Sequence, residues 1–101
     1  MNLTTKELAD ALVISTEESR IDAASAIQFK DAMRRATTYA QNRIFLDLSA
    51  VEFIDSSGLG AVVASLKQLP NGKSLELCAL NPAVEKVFRL TRMDSVFTIH
   101  E

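Results

Sequence analysis

The segment Ile54-Asp55-Ser56-Ser57-Gly58-Leu59-Gly60 places a carboxylate, two hydroxyls and two glycines between apolar runs. Side chains of these types in this order can do four things. Aspartate and serine can accept bonds from the first amides of a helix, a cap that contributes about 1 kcal/mol. Glycines at a helix start can let backbone amides approach a phosphate. A serine can act as a nucleophile, or it can itself be the substrate of a kinase.

Two of these chemistries fail on pattern. No Gly-Lys-Ser/Thr follows the glycines, and Gly58-Leu59-Gly60 lacks the third glycine of a dinucleotide fingerprint. A hydrolase would use Ser56 or Ser57 with His100 as base and Asp55 or Asp47 as orienter. The Gly-x-Ser-x-Gly elbow is absent, however, and His100 is the penultimate residue, where a solvated side chain is expected. Capping accounts for one side chain but not for adjacent serines beside two glycines. Modification from outside accounts for an exposed serine: a phosphoserine adds about −1.5 to −2 charges and three acceptor oxygens, enough to repel a partner docked at this helix end. Asp55 next door makes the patch acidic already, and the readout of such a switch is binding.

Positioning that segment requires a strand before it and a helix after it. Ile44-Phe45-Leu46-Asp47-Leu48 is short and nearly continuously apolar, which predicts a central strand covered on both faces. A short link carries Val51 to Ile54. Leu59, Val62, Val63, Leu66 and Leu69 then follow helical spacing, with Ser57 as a natural N-cap, until Pro70-Asn71-Gly72 stops the helix.

The rest of the chain alternates in the same way. Ala11-Leu12-Val13-Ile14 predicts a buried strand, and Leu3-Thr4-Thr5 an edge strand joined to it by a turn near Ala9-Asp10. Asp22 and Ser25 are alternative N-caps for a helix. Ser25 with Gln28 has capping-box spacing, and Ala26, Phe29, Met33, Ala36 and Ala40 form one face. Leu75, Leu77 and Ala79 alternate as in a strand, Asn81-Pro82 starts a helix whose apolar face is Val84, Val87 and Phe88, and Phe97-Thr98-Ile99 is expected to close the domain as a short strand or a docked tail. Strands separated by helices imply crossovers and a mixed, largely parallel sheet. The expectation is an α/β fold, a single domain over 1–101 with about four to five strands flanked by helices.

Composition narrows the function classes. The chain has 101 residues, 48% hydrophobic and 24% charged, which suits one core. A net charge of −2 without basic runs argues against nucleic acid as a partner. No apolar run approaches the roughly 20 residues of a membrane span, and no basic-then-apolar leader is visible. Cys78 is the lone cysteine, so neither a disulfide nor a multi-cysteine metal site is expected, and a reduced cytoplasmic setting fits. Cys78 reads as an inert small side chain.

The run Ile44 to Ser49, then Val51 and Phe53-Ile54-Asp55-Ser56-Ser57-Gly58-Leu59-Gly60, resembles the signature of STAS domains of the bacterial anti-sigma factor antagonist type. Arg20-Ile21-Asp22-Ala23-Ala24-Ser25-Ala26 resembles that family's earlier loop, and Asn81-Pro82 with Val96-Phe97 its C-terminal part, so the likeness covers nearly the whole chain. The resemblance implies a STAS-like sandwich without catalysis or a cofactor of its own. Its implied partners are an anti-sigma factor that is a serine kinase, carrying the ATP and Mg²⁺, and a PP2C-type phosphatase. It implies Ser57, the second serine of the motif, as phospho-acceptor, and Asp22, Asp55, Ser56 and Gly58 as partner-binding residues. Ser19 stands where the family commonly has glycine, which leaves the shape of the Asp22 loop open. The expected role is release of a sigma factor by a protein that is monomeric when free. The alternative is a STAS adaptor in a transport or stressosome-like complex, without the switch.

Overall fold

A computed structural model describes residues 1–38 and 40–100. Leu3–Glu7 (β1) and Ala11–Thr16 (β2) form an antiparallel hairpin, closed by the bond from the Leu8 amide to the Ala11 carbonyl. Arg20–Ile21 (β3) precedes the helix Ala26–Thr37 (α1), and Arg43–Asp47 (β4) follows it. Phe53–Ile54 (β5) runs into the helix Ser56–Lys67 (α2). Ser74–Cys78 (β6), Pro82–Leu90 (α3), a 3₁₀ turn at Met93–Ser95 and Ile99–His100 (β7) complete the order.

The main sheet has the order β1-β2-β4-β6-β7, with β2, β4, β6 and β7 mutually parallel and β1 antiparallel. The mixed, largely parallel five-stranded sheet is the one expected from strands separated by helices. Register puts Leu12, Ile44 and Leu75 in one row and Ile14, Leu46 and Leu77 in the next. All six are buried, and Phe29 and Met33 of α1, Leu59 and Val62 of α2, and Val84 and Phe88 of α3 join them in one apolar cluster. Burial of such side chains, at about 1.5–3 kcal/mol each, is the main term holding helices to sheet.

The alternate row, Val13, Phe45 and Glu76, is only half-buried. The expectation that Ile44–Leu48 is covered on both faces is therefore corrected. Phe45 is apolar on the open face because the Arg43 guanidinium lies 4.7 Å from its ring centroid and the His100 ring 5.6 Å away. His100 is likewise not merely solvated: its Nε2 lies 2.7 Å from Glu76 Oε1, while Arg43 Nε donates to Glu76 Oε2 at 2.6 Å. Arg43 first and His100 second hold the Glu76 carboxyl at about 2.

Local rules explain most boundaries and fail at a few. Ser25 occupies the N-cap position of α1 without a side-chain cap bond, so the Ser25–Gln28 capping box does not form. The Ser25 hydroxyl instead accepts from the Asp22 amide at 3.1 Å. Ala79 departs from the predicted alternation, leaving β6 with a left-handed φ of 59° that reverses the chain toward α3. The buried hydroxyls of Thr37 and Ser65 are satisfied by carbonyls one turn back, Met33 and Ala61, each at 2.8 Å.

Candidate functional site

The second, two-stranded sheet builds the site. β3 and β5 pair in parallel with Arg20 opposite Phe53 and Ile21 opposite Ile54. Each strand is followed at once by an aspartate, so the ladder brings Asp22 and Asp55 to one place from 33 positions apart. Sequence periodicity could not reveal strands of two residues. The repeated pattern Arg-Ile-Asp and Phe-Ile-Asp was the available signal.

Asp55, not Ser57, caps α2. Its Oδ1 accepts from the Gly58 amide at 2.8 Å and its Oδ2 from the Ala23 amide at 3.1 Å, across 32 positions. Ser57 misses the cap because the helix begins one residue before it, at Ser56. The carboxylate that was expected to face a partner thus joins the helix start to the Asp22 loop. Gly58 is needed by the same junction: a Cβ there would lie 2.6 Å from the Ile21 carbonyl carbon and closer still to its oxygen. The amide of Asp55 also reaches the Ile21 carbonyl, and those of Glu52 and Phe53 reach Ser19.

Asp22 sits at the edge of this junction. Its Oδ1 accepts from the Ala24 amide at 3.1 Å, and its Oδ2 from Arg20 Nε at 3.2 Å. The Arg20 bond is the largest cause holding the Asp22 carboxyl below its ordinary value. Arg20 in turn lies 4.2 Å from the centroid of the exposed Phe53 ring, a cation–π contact that keeps the guanidinium on the ladder.

Ser56 and Ser57 are exposed at the first turn of α2, and neither hydroxyl bonds to another residue among the described ones. Ser57 faces a cavity of about 180 Å³ between α1 and α2 that Lys30 also lines. The structure therefore gathers Asp22, Asp55, Ser56, Ser57 and Gly58 at one helix start, with the serines outward and Gly58 and Asp55 inward. Asn81, expected only to start a helix, has a role that sequence reasoning missed. It stands at the N-cap position of α3 without a side-chain cap bond. Its Nδ2 donates instead to the Ser49 and Val51 carbonyls at 2.9 and 2.7 Å, pinning the link that leads into β5.

This ladder, cap and outward serine pair sit in a chain whose residues 2–101 match the sequence model of the STAS domain. The chain belongs to the STAS domain family. It is 30% identical, over 94% of its length and 83% of the other's, to a Bordetella bronchiseptica protein provisionally named anti-sigma factor antagonist BtrV. A Thermotoga maritima protein with the same provisional description is 33% identical over 94% of this chain and 86% of that one. Among solved structures, an anti-sigma factor antagonist from Mycobacterium paratuberculosis superimposes with a TM-score of 0.85 at 25% identity, covering 98% of this STAS chain and 84% of its own.

Among the described residues neither Ser56 nor Ser57 is hydrogen-bonded to a histidine or a carboxylate. Among the described residues no group of three or more His, Cys, Asp or Glu could hold a metal ion. His100 Nε2 lies 2.7 Å from Glu76 Oε1, in the row on the open face of the sheet. Burial, the larger cause, and the Asp47 carboxylate push the Cys78 thiol up from its ordinary value, which suits an inert side chain. No described helix is long and apolar enough to cross a membrane.

Proposed function

We propose that this single STAS domain is an anti-sigma factor antagonist acting in the cytoplasm. It binds an anti-sigma factor of the serine-kinase type and thereby frees a sigma factor for transcription. Phosphorylation at the start of α2, on Ser57, releases it, and a PP2C-type phosphatase restores it. The observation that carries this reading is an exposed serine pair, unbonded among the described residues, on a helix start that is braced from behind. Asp55 and Gly58 fix the backbone, so a kinase meets the hydroxyls in one arrangement. Asp22 and Ser56 flank the acceptor and present the surface that the partner touches.

Release follows from charge. A phosphate brings about −1.5 to −2 charges to a first turn that has no basic residue of its own. An acidic partner surface in contact there is repelled directly. The chain performs no chemistry itself, ATP and Mg²⁺ being bound by the kinase.

The test is to recover the partners from the host and incubate this protein with each kinase-like one and ATP, locating the phosphate by mass spectrometry. Ser57→Ala is expected to abolish uptake and Ser56→Ala to retain it. The reverse pattern moves the acceptor to Ser56 and refutes the assignment to Ser57. A Ser57→Asp variant with undiminished affinity for the partner refutes release by charge. Recovery of transporter or lipid-transport subunits alone would favour the adaptor role instead.

A further inference from the structure

The cavity that Ser57 faces is one end of a longer groove. Ala26, Ile27 and Lys30 line it from α1 and Ser57, Gly60 and Ala64 from α2. Ile27 and Lys30 also border a second hollow of about 380 Å³ that continues toward Arg34 and Gln68. There the Gln68 side-chain amide donates to the Lys30 carbonyl at 3.1 Å and ties the helices together. Ile27 stands 78% exposed on the rim. Gly60 leaves the floor bare, since a Cβ built on it meets nothing within 4 Å.

The charges along this groove are unevenly matched. Asp31 pairs with both Arg34 and Arg35. Just outside, Asp22 is paired with Arg20, and Asp55 has both oxygens on amides. Of the groove's charged side chains, Lys30 is the one with no carboxylate partner among the described residues. An occupant complementary to this surface brings an apolar side chain to Ile27 and Gly60, and a carboxylate to Lys30.

The geometry points to the α1–α2 groove as the seat of an acidic and apolar segment of the anti-sigma factor, with Lys30 as its charge anchor. This deepens the proposed function and rests on it. Recognition and release then use the same cation. A phosphate on Ser57 enters the cavity that Lys30 lines, competes with the partner's carboxylate for the ammonium and repels that carboxylate.

The experiment is calorimetric titration of a purified host anti-sigma factor into the full chain. Gly60→Phe and the smaller Gly60→Leu fill the groove, and Lys30→Glu reverses its charge. Circular dichroism is expected to show all three folded, because position 60 opens on empty space and position 30 is exposed. Each is expected to weaken binding by about 30-fold or more, the loss seen when an interface hot spot is disrupted, while Lys6→Glu on β1 leaves it unchanged. If Ser57→Asp releases the anti-sigma factor but folded groove variants bind as tightly as wild type, the groove proposal is overturned and the proposed function stands. If the wild-type chain does not bind an anti-sigma factor, both fall. Self-association that the groove variants abolish would assign the groove to a second copy and overturn the proposal.

Discussion

Gly58→Ala and Gly60→Ala, the same change two residues apart in α2, are expected to alter stability in opposite directions. Neither glycine has a positive φ, so backbone freedom does not separate them. Space does. At Gly58 the new carbon would lie 2.6 Å from the Ile21 carbonyl carbon and 3.0 Å from Ile54 Cγ1, where carbon atoms in contact need about 3.5–4 Å. The Ile21 carbonyl cannot give way, because it accepts the Asp55 amide and lies on the β3–β5 ladder. Helix α2 must therefore move by about 1 Å, at an overpacking cost of about 1–3 kcal/mol. The shift stretches the Gly58 bond to Asp55, adding about 1 kcal/mol for the lost cap. Less the up to about 1 kcal/mol of helix propensity that alanine gains here too, the net loss is about 1–3 kcal/mol, a substantial part of the roughly 5–15 kcal/mol that holds a domain together. At Gly60 nothing is met, and alanine gains up to about 1 kcal/mol of helix propensity. Urea unfolding followed by circular dichroism reads both changes as midpoint shifts at constant slope. A Gly58→Ala midpoint equal to that of wild type, or a lowered Gly60→Ala midpoint, would refute the packing argument.

Two further outcomes follow from the hydrogen-bond network. Glu76 is held at about 2, below its ordinary 4.5, so its partners stabilise the fold above about pH 4.5 and cease to do so as pH falls toward 2. Urea midpoints of wild type are expected to fall over that window more steeply than those of Glu76→Gln, and parallel curves would count against the Arg43–Glu76–His100 cluster. Asn81→Ala leaves the Ser49 and Val51 carbonyls without their side-chain donor and is expected to cost about 1–2 kcal/mol. Hydrogen exchange should quicken across residues 49–53, and unchanged protection there would deny Asn81 its role in fixing the link.

Much of the fold was legible because long elements repeat their apolar spacing. Phe29 and Met33 are buried from α1, and Leu75 and Leu77 from β6, as their periods of 3.6 and 2 require. The family resemblance, not spacing, named Asp22, Asp55, Ser56, Ser57 and Gly58 together, and the division of labour among them was not legible. Capping propensity alone does not distinguish Asp55 from Ser57, and the second bond that Asp55 accepts comes from Ala23, remote in sequence. The β3–β5 ladder escaped notice because two residues carry no period. The open face of β4 escaped because Phe45 is shielded by the side chains of Arg43 and His100, which local patterning cannot place together. Asn81 looked like an ordinary cap, and its true acceptors lie some 30 positions earlier.

The junction between Ala23 and Asp55 also bears on what a modifying enzyme can perceive. A peptide carrying Asp55 to Gly60 has the serines but lacks Ile21 and Ala23, against which the helix start is held. A chain still being made, or one that has come apart, lacks the same support. An enzyme that recognises the serines on their braced turn therefore inspects the architecture of its target before marking it. On the proposed function, damaged copies would go unmarked, and the signal would count only intact molecules.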